Sequence, residues 1–341
     1  MSLVRCLPVA SRWVLPLAVV AALLPAAGGA APPAAADDPR ARLVRMHAAA
    51  FQRNYQGTMV FAAGGGISSS RVAHFCVGND SYERVESLDG PPRQVLRHND
   101  TVHTLWPQAA VMRVEKRGSA SPGGAMTDRV DPRALDHYEL RVEGRDRVAG
   151  REAEVLLMLP RDGLRYAQRL WSDLATGLML RADVLGSERQ VLESSAFSQL
   201  ETGVRPQPDA LLRPLRQLAG WKVVHSRHDP VALEDEGWEL ARPLPGFRLT
   251  GSLRRPLDFV PSTDADDAAS MLQAVFSDGL TQVSLFIERY EPSRHRKDLQ
   301  ARIGATTTLA QRRGDAWLTV MGDVPLPTLR QLLDAVQPRR R

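Results

Sequence analysis

The chain has 341 residues and a formal charge of +5, from 44 Lys and Arg against 39 Asp and Glu, with only two cysteines. That length is enough for two packed cores, and two cysteines exclude a disulfide scaffold. Lysine occurs only at Lys116, Lys222 and Lys297, so the basic excess is scattered arginine with no dense block that would track nucleic acid, which is not expected as a partner.

The first element in chain order reads as an export signal over residues 1–36. Arg5 and Arg12 form its basic start, Trp13 to Leu24 its apolar stretch, and Ala26 to Ala36 supply small residues for cleavage. The apolar stretch is shorter than the roughly 20 residues a bilayer span needs, so cleavage is expected rather than anchoring. The mature chain then starts near Asp37, outside the cytoplasm. Loss of Arg5 and Arg12 lowers the charge from +5 to +3, and Cys76 remains as the single thiol.

A large domain is expected over residues 37–201. Asp38 and Pro39 suit a helix start, and Leu43, Val44, His47 and Phe51 recur at helical spacing. From Tyr55 the period changes to two. Thr58–Ala62, Arg71–Val77, Tyr82–Leu88, Arg93–Arg97, Thr101–Trp106 and Val111–Lys116 read as strands, separated by turn residues such as Gly64-Gly65-Gly66. A mobile loop is expected from Arg117 to Asp131, with a short helix near Pro132–Leu135. Tyr138–Val142, Ala153–Leu159, Leu164–Ser172, Leu178–Leu185 and Gln190–Ser198 continue the series. Eleven antiparallel strands cannot lie flat, so the sheet is expected to curl into a barrel with the first helix in its concavity.

Residues 202–237, interrupted by Pro206, Pro208 and Pro214, read as an interdomain linker and hinge with a helical turn at Asp209–Leu212. A second domain is expected over 238–341. Its strands are Gly246–Arg254, Ser270–Phe276, Thr281–Tyr290, Thr306–Gln311 and Trp317–Met321, and Ser277-Asp278-Gly279 reads as a plain hairpin turn. Leu329, Leu332, Leu333 and Val336 give a closing helix, Pro327–Val336, an apolar stripe. The fold class is therefore α+β, mainly antiparallel β.

Enzymatic motifs are missing: there is no nucleophile elbow, phosphate-binding loop or zinc-protease helix, so no catalytic residue and no cofactor is expected. His225, His228 and Asp229 offer metal ligands in an irregular segment that equally suits a solvated loop, and no metal is expected. Cys76 alternates with His74 and reads either as a thiolate partner or as an inert half-buried thiol. Met59, Phe61, Phe75, Trp106, Met112, Met158, Trp171 and Met179 spread long apolar side chains over the meander. Two readings stay open for them: an ordinary filled core, or the lining of a cavity for an acyl chain.

Several segments, in order and spacing, resemble the MucB/RseB family of envelope-stress sigma factor regulators. They are Asn54-Tyr55-Gln56-Gly57, Leu88-Asp89-Gly90-Pro91-Pro92-Arg93, Arg161-Asp162-Gly163-Leu164-Arg165-Tyr166 and Leu170-Trp171-Ser172-Asp173 in the first domain. In the second they are Leu244-Pro245-Gly246-Phe247, Arg254-Arg255-Pro256-Leu257 and Phe276-Ser277-Asp278-Gly279-Leu280. The resemblance implies a half-open β-barrel similar to the lipoprotein carriers LolA and LolB, joined to a smaller α/β sandwich domain. It implies a periplasmic protein that binds the periplasmic part of a membrane anti-sigma factor of the MucA/RseA kind and shields it from the first proteolytic cut. Lipid or lipopolysaccharide is implied as the releasing ligand, and a homodimer as the assembly. Under this reading Arg254 and Arg255 are the first candidates for carboxylate contacts with the partner and Arg93 the third, although a solvated loop also accounts for them. A lipid or lipoprotein carrier is the alternative function.

Overall fold

The computed structural model describes residues 38–116, 132–226, 229–256 and 270–339. The export segment, the loop from Arg117 to Asp131, His228 and Leu257 lie outside them.

The chain enters through α1 (Pro39–Gln52), whose Asp38 side chain accepts from the Arg40 amide at 3.0 Å and whose first residue is the expected proline. Leu43, Met46 and Ala49 are its buried face. Six strands follow: β1 (Tyr55–Ala63), β2 (Gly66–Val77), β3 (Asp80–Ser87), β4 (Gln94–His98), β5 (Thr101–Trp106) and β6 (Val111–Lys116). After a 3-10 turn at Pro132–His137 come β7 (Tyr138–Val148), β8 (Arg151–Pro160), β9 (Ala167–Asp173), β10 (Met179–Leu185) and β11 (Val191–Thr202). All eleven expected strands are present. β7 runs beyond the expected Val142 and pairs with β8 as far as Val148; Arg141 to Arg147 lie exposed on a sheet margin and carry no apolar alternation to mark the strand in the sequence.

The two meanders are joined edge to edge by antiparallel pairing of β1 with β11. Gly57 sits at this seam opposite Leu200, and a Cβ there would lie 2.2 Å from the Gln199 carbonyl oxygen. Only glycine allows the two backbones to approach so closely. Among the described residues the far margins do not pair with each other, so the barrel is open. Helix α1 nevertheless touches β2, β7 and β10, strands well separated in sheet order, so the sheet wraps around it. An ion pair between Arg42 and Glu154 ties the helix to β8.

The segment expected as a linker is built into the large sheet. It contains α2 (Pro208–Leu212), a 3-10 turn at Arg213–Arg216 and β12 (Lys222–His225), which adds parallel to β6 as a twelfth strand. Leu211 is buried against Phe75, Leu96, Leu105 and Met112, and Leu212, Leu215, Leu218 and Trp221 pack around it. The prolines broke the spacing of these apolar residues, which is why the sequence shows no helical period there. Covalent passage from one sheet to the other falls between β12 and β13 (Asp229–Pro230).

The second domain continues with β14 (Trp238–Leu240), β15 (Arg248–Pro256), β16 (Ser270–Ser277), β17 (Gln282–Arg289), β18 (Leu299–Ile303), β19 (Thr306–Arg313), β20 (Ala316–Gly322), α3 (Leu326–Ala335) and β21 (Val336–Pro338). Its seven-stranded sheet has the order β13-β15-β16-β17-β20-β19-β18, and β14 pairs with β21 apart from it. Leu329, Leu332 and Leu333 of α3 pack with Leu285, Leu318 and Val320 of the sheet. Every residue of β18 is exposed, so this strand has no buried alternation for the sequence to reveal.

Candidate functional site at the domain junction

Three loops remote in sequence meet between the domains. The β8–β9 loop of the barrel reaches into the second domain, where Leu164 joins the core of Leu244, Phe247 and Phe276 and its carbonyl accepts from the Thr328 hydroxyl at 2.7 Å. Next to it, the Arg165 guanidinium donates to Asp278 at 2.5 Å and to Asp162 at 2.5 Å, and lies 4.5 Å over the Phe247 ring. The Tyr138 hydroxyl donates to the same Asp278 oxygen at 3.1 Å. Burial, then the Asp278 charge, pushes the Tyr138 pKa up, so the phenol stays protonated and keeps donating.

Asp278 does two jobs. One oxygen accepts from the Leu280 and Thr281 amides, each at 2.8 Å, which fixes the turn, while the other faces Arg165. Gly246 borders the knot at φ +74, and a Cβ there would lie 2.3 Å from Arg165 Nη2. Thus Arg161–Tyr166, Leu244–Phe247 and Phe276–Leu280 are one structure in space. The sequence marked each segment but gave no sign that the expected plain turn at Asp278 holds a buried arginine.

Beside the knot lies a cleft of about 580 Å³, lined from the barrel by Pro160, Tyr166, Leu185 and Arg189 and from the second domain by Arg302 and Leu326. That volume is in the range of ligand-binding cavities.

The eight apolar residues singled out in the sequence do not gather around one space. Met158 and Met179 pack beneath α1 with Leu43 and Met46, whereas Phe75 and Met112 pack beneath α2 with Leu211. Trp171 belongs to a third cluster with Val155 and Leu180, and its ring donates to Asp146 at 2.9 Å and stacks against Arg181. Met59 is half-buried, Phe61 is exposed, and Trp106 is half-buried with Arg113 over its ring at 5.5 Å. Phe75 also borders a small pocket of about 100 Å³ beside α2.

The arginine pair is split by strand alternation. Arg254 is partly exposed and bonds Glu236 and, at 3.2 Å, the Ser270 hydroxyl. Arg255 is half-buried, donates to Gln273 at 3.1 Å, and has its pKa lowered by burial against the opposing pull of Glu115 in β6. Arg93 is exposed in the β3–β4 turn, where its carbonyl accepts from the Ser87 amide. Cys76 is half-buried, with its thiol on the Phe51 carbonyl at 3.0 Å, and His74 bonds the Arg53 carbonyl at 2.9 Å, so both tie β2 to the end of α1. His225 is exposed, and among the described residues no three His, Cys, Asp or Glu side chains gather as metal ligands. No helix among the described residues is long and apolar enough to cross a membrane.

An open barrel wrapped on a helix, locked through a buried charged knot to a smaller sheet and leaving a cleft at the join, defines a two-domain binding protein. The chain belongs to the MucB/RseB family. Its residues 38–215 match the MucB/RseB N-terminal domain and residues 232–337 the MucB/RseB C-terminal domain. It is 32% identical over 314 residues to the sigma factor AlgU regulatory protein MucB of Pseudomonas aeruginosa, covering 87% of this chain and 90% of that protein. It is 26% identical over 307 residues to the sigma-E factor regulatory protein RseB of Escherichia coli K12, covering 87% and 90%. Among solved structures, the Pseudomonas aeruginosa MucA/MucB complex superposes with a TM-score of 0.67 at 29% identity, covering 89% of this chain and 99% of that one. A crystal structure of MucB in complex with MucA(peri) gives 0.65 at 29% identity, covering 89% and 100%.

Proposed function

We propose that this protein is a periplasmic negative regulator of an extracytoplasmic stress sigma factor. It binds the periplasmic segment of a membrane anti-sigma factor, shields that segment from its first proteolytic cut and thereby keeps the sigma factor sequestered. The observation that carries the reading is the match along both domains to MucB, whose complex with MucA is solved. The role is one of binding, not catalysis: neither the knot nor the cleft offers a nucleophile paired with a base.

Lipid or lipopolysaccharide from a damaged envelope is the releasing signal in this reading. It must prefer a form with weak affinity for the partner, because a ligand with equal affinity for both forms shifts nothing. The apolar layer between α1 and the sheet, containing Met158 and Met179, is where an acyl chain would compete with the helix. The regulator self-associates as a dimer, checked by sedimentation of the mature chain.

The test is protease protection. The anti-sigma periplasmic segment is digested by the protease that makes the first cut, with and without this protein, and again after lipopolysaccharide is added. Protection that lipopolysaccharide abolishes is the expected result. Digestion at the same rate with and without the protein would refute the regulatory role, and protection indifferent to lipopolysaccharide would remove the lipid signal. A carrier proper would instead move acyl cargo between membranes.

A further inference from the structure

The face of the large sheet that turns away from α1 carries a second hollow, which shares no residue with the junction cleft. Along β2, His74 and Cys76 bond the end of α1, so Ala73 and Phe75 point to the opposite face, where Phe75 packs beneath α2 with Leu211. Strand register sets Gln56, Ala73 and Arg84 side by side on that face across β1, β2 and β3. Ala73 ends at its Cβ between two long neighbours. A hollow of about 200 Å³ opens there and reaches Thr58, Arg71 and Gln199. The small pocket of about 100 Å³ beside α2 shares Gln56, Ala73 and Arg84 with it and ends on Phe75, Ala210 and Leu211. Joined, the two reach the lower end of the roughly 300–1,000 Å³ span of small-molecule sites.

Arg84 is the one charged residue common to both parts. Its Nε is shut off from solvent without an acceptor, and Arg84 forms no ion pair among the described residues. The neighbouring acids are engaged elsewhere: Glu201 accepts from Gln56 at 2.8 Å, and Glu86 lies 3.5 Å from Arg71. A buried donor left without an acceptor is costly, the more so on a charged group, and calls for an explanation. A single negative charge seated over Ala73 satisfies it, and a carboxylate matches the planar guanidinium fork. Glu201 in the wall and Glu86 two residues along β3 oppose a second negative charge.

We propose that this hollow binds a small monocarboxylate with a short apolar group, the carboxylate pairing with Arg84 and the apolar group resting against Phe75 and Leu211. The limited volume at the α2 end suits a group of a few carbons and not an acyl lipid. Because the occupant touches both the barrel strands and α2, it holds that helix on the sheet. The site needs no anti-sigma partner and lies on the face opposite the α1 layer.

The full mature chain is titrated with hexanoate and followed through the Arg84 Nε–H resonance, assigned by its loss in Arg84→Gln, and through amide hydrogen exchange. A saturable downfield shift of that resonance is expected, with slower exchange over residues 208–212. By calorimetry, Arg84→Gln is expected to weaken hexanoate binding roughly tenfold or more. Ala73→Leu, which fills the hollow and keeps the arginine, should abolish binding, and hexylamine, the same chain with the opposite charge, should leave the resonance unmoved. A resonance that millimolar hexanoate does not move overturns the site, as does binding that survives Arg84→Gln or folded Ala73→Leu undiminished. An equal response to hexylamine refutes the carboxylate contact, and inorganic phosphate bound as tightly as hexanoate refutes the choice of a monocarboxylate.

Discussion

Arg165 in the barrel and Asp278 in the second domain form an ion pair from which both side chains are wholly shut off from solvent. Bringing two charges out of water is costly, and their mutual attraction offsets that cost only with good geometry and further hydrogen bonds. Tyr138, Asp162 and two turn amides provide those bonds. Asp278→Ala leaves the buried guanidinium with Asp162 as its one remaining carboxylate and strips Tyr138 and the two turn amides of their acceptor, so it is expected to destabilise the protein by about 3–5 kcal/mol. Arg165→Met together with Asp278→Ala should recover most of that loss. Urea unfolding checks both, and a single variant within about 1 kcal/mol of the parent would show that the pair does not lock the domains.

His103 gives the protein a pH dependence. It is half-buried on β5, and burial, with lesser contributions from His98 and His225, lowers its pKa against the opposing bond at Leu96. A histidine depressed in the folded state takes up its proton first in the unfolded chain, near pH 6.5. Stability should therefore fall as the pH drops from about 6.5 towards the folded value, and level off below it. Thermal midpoints at pH 7.5 and 5 should differ less in His103→Gln than in the parent; equal drops would remove His103 as the cause.

The β1–β11 seam depends on the missing side chain of Gly57. A Cβ would collide with backbone, which has no free rotamer to move away. Gly57→Ala is expected to cost about 1–3 kcal/mol as overpacking. Chemical denaturation measures it, and a neutral substitution would mean that the seam can widen.

Leu211 anchors the strap formed by α2 and β12. Leu211→Ala is expected to cost about 2–5 kcal/mol and to raise amide exchange over residues 208–225. Retained protection there would indicate that β12 pairing with β6 suffices on its own.

Much of the fold was legible because the barrel strands alternate and their turns are rich in glycine and aspartate. Gly57 was visible as part of Asn54–Gly57, yet its reason, a backbone contact with a strand more than a hundred residues later, is invisible locally. The linker expected over 202–237 conceals α2 and β12 because Pro206, Pro208 and Pro214 hide the apolar spacing from Leu211 to Trp221, whose packing only tertiary contact reveals. β18 escaped notice for the opposite reason: nothing on it is buried. At the junction, Arg165 and Asp278 were each in a marked segment, but a charged pair separated this far has no sequence period. The apolar eight leave core and cavity lining both open in the sequence because composition cannot say which face of a strand a side chain takes.

The open barrel leaves two margins that could recruit further chains into fibrous assemblies. One of them is β12, a strand of only four residues added parallel to β6, which offers little length for pairing. The other, β7, displays Arg141, Glu143, Arg145, Asp146 and Arg147 with an irregular register between Val142 and Gly144, so a second copy would meet mixed charges and a bent ladder. Edges of this kind disfavour self-templated strand addition.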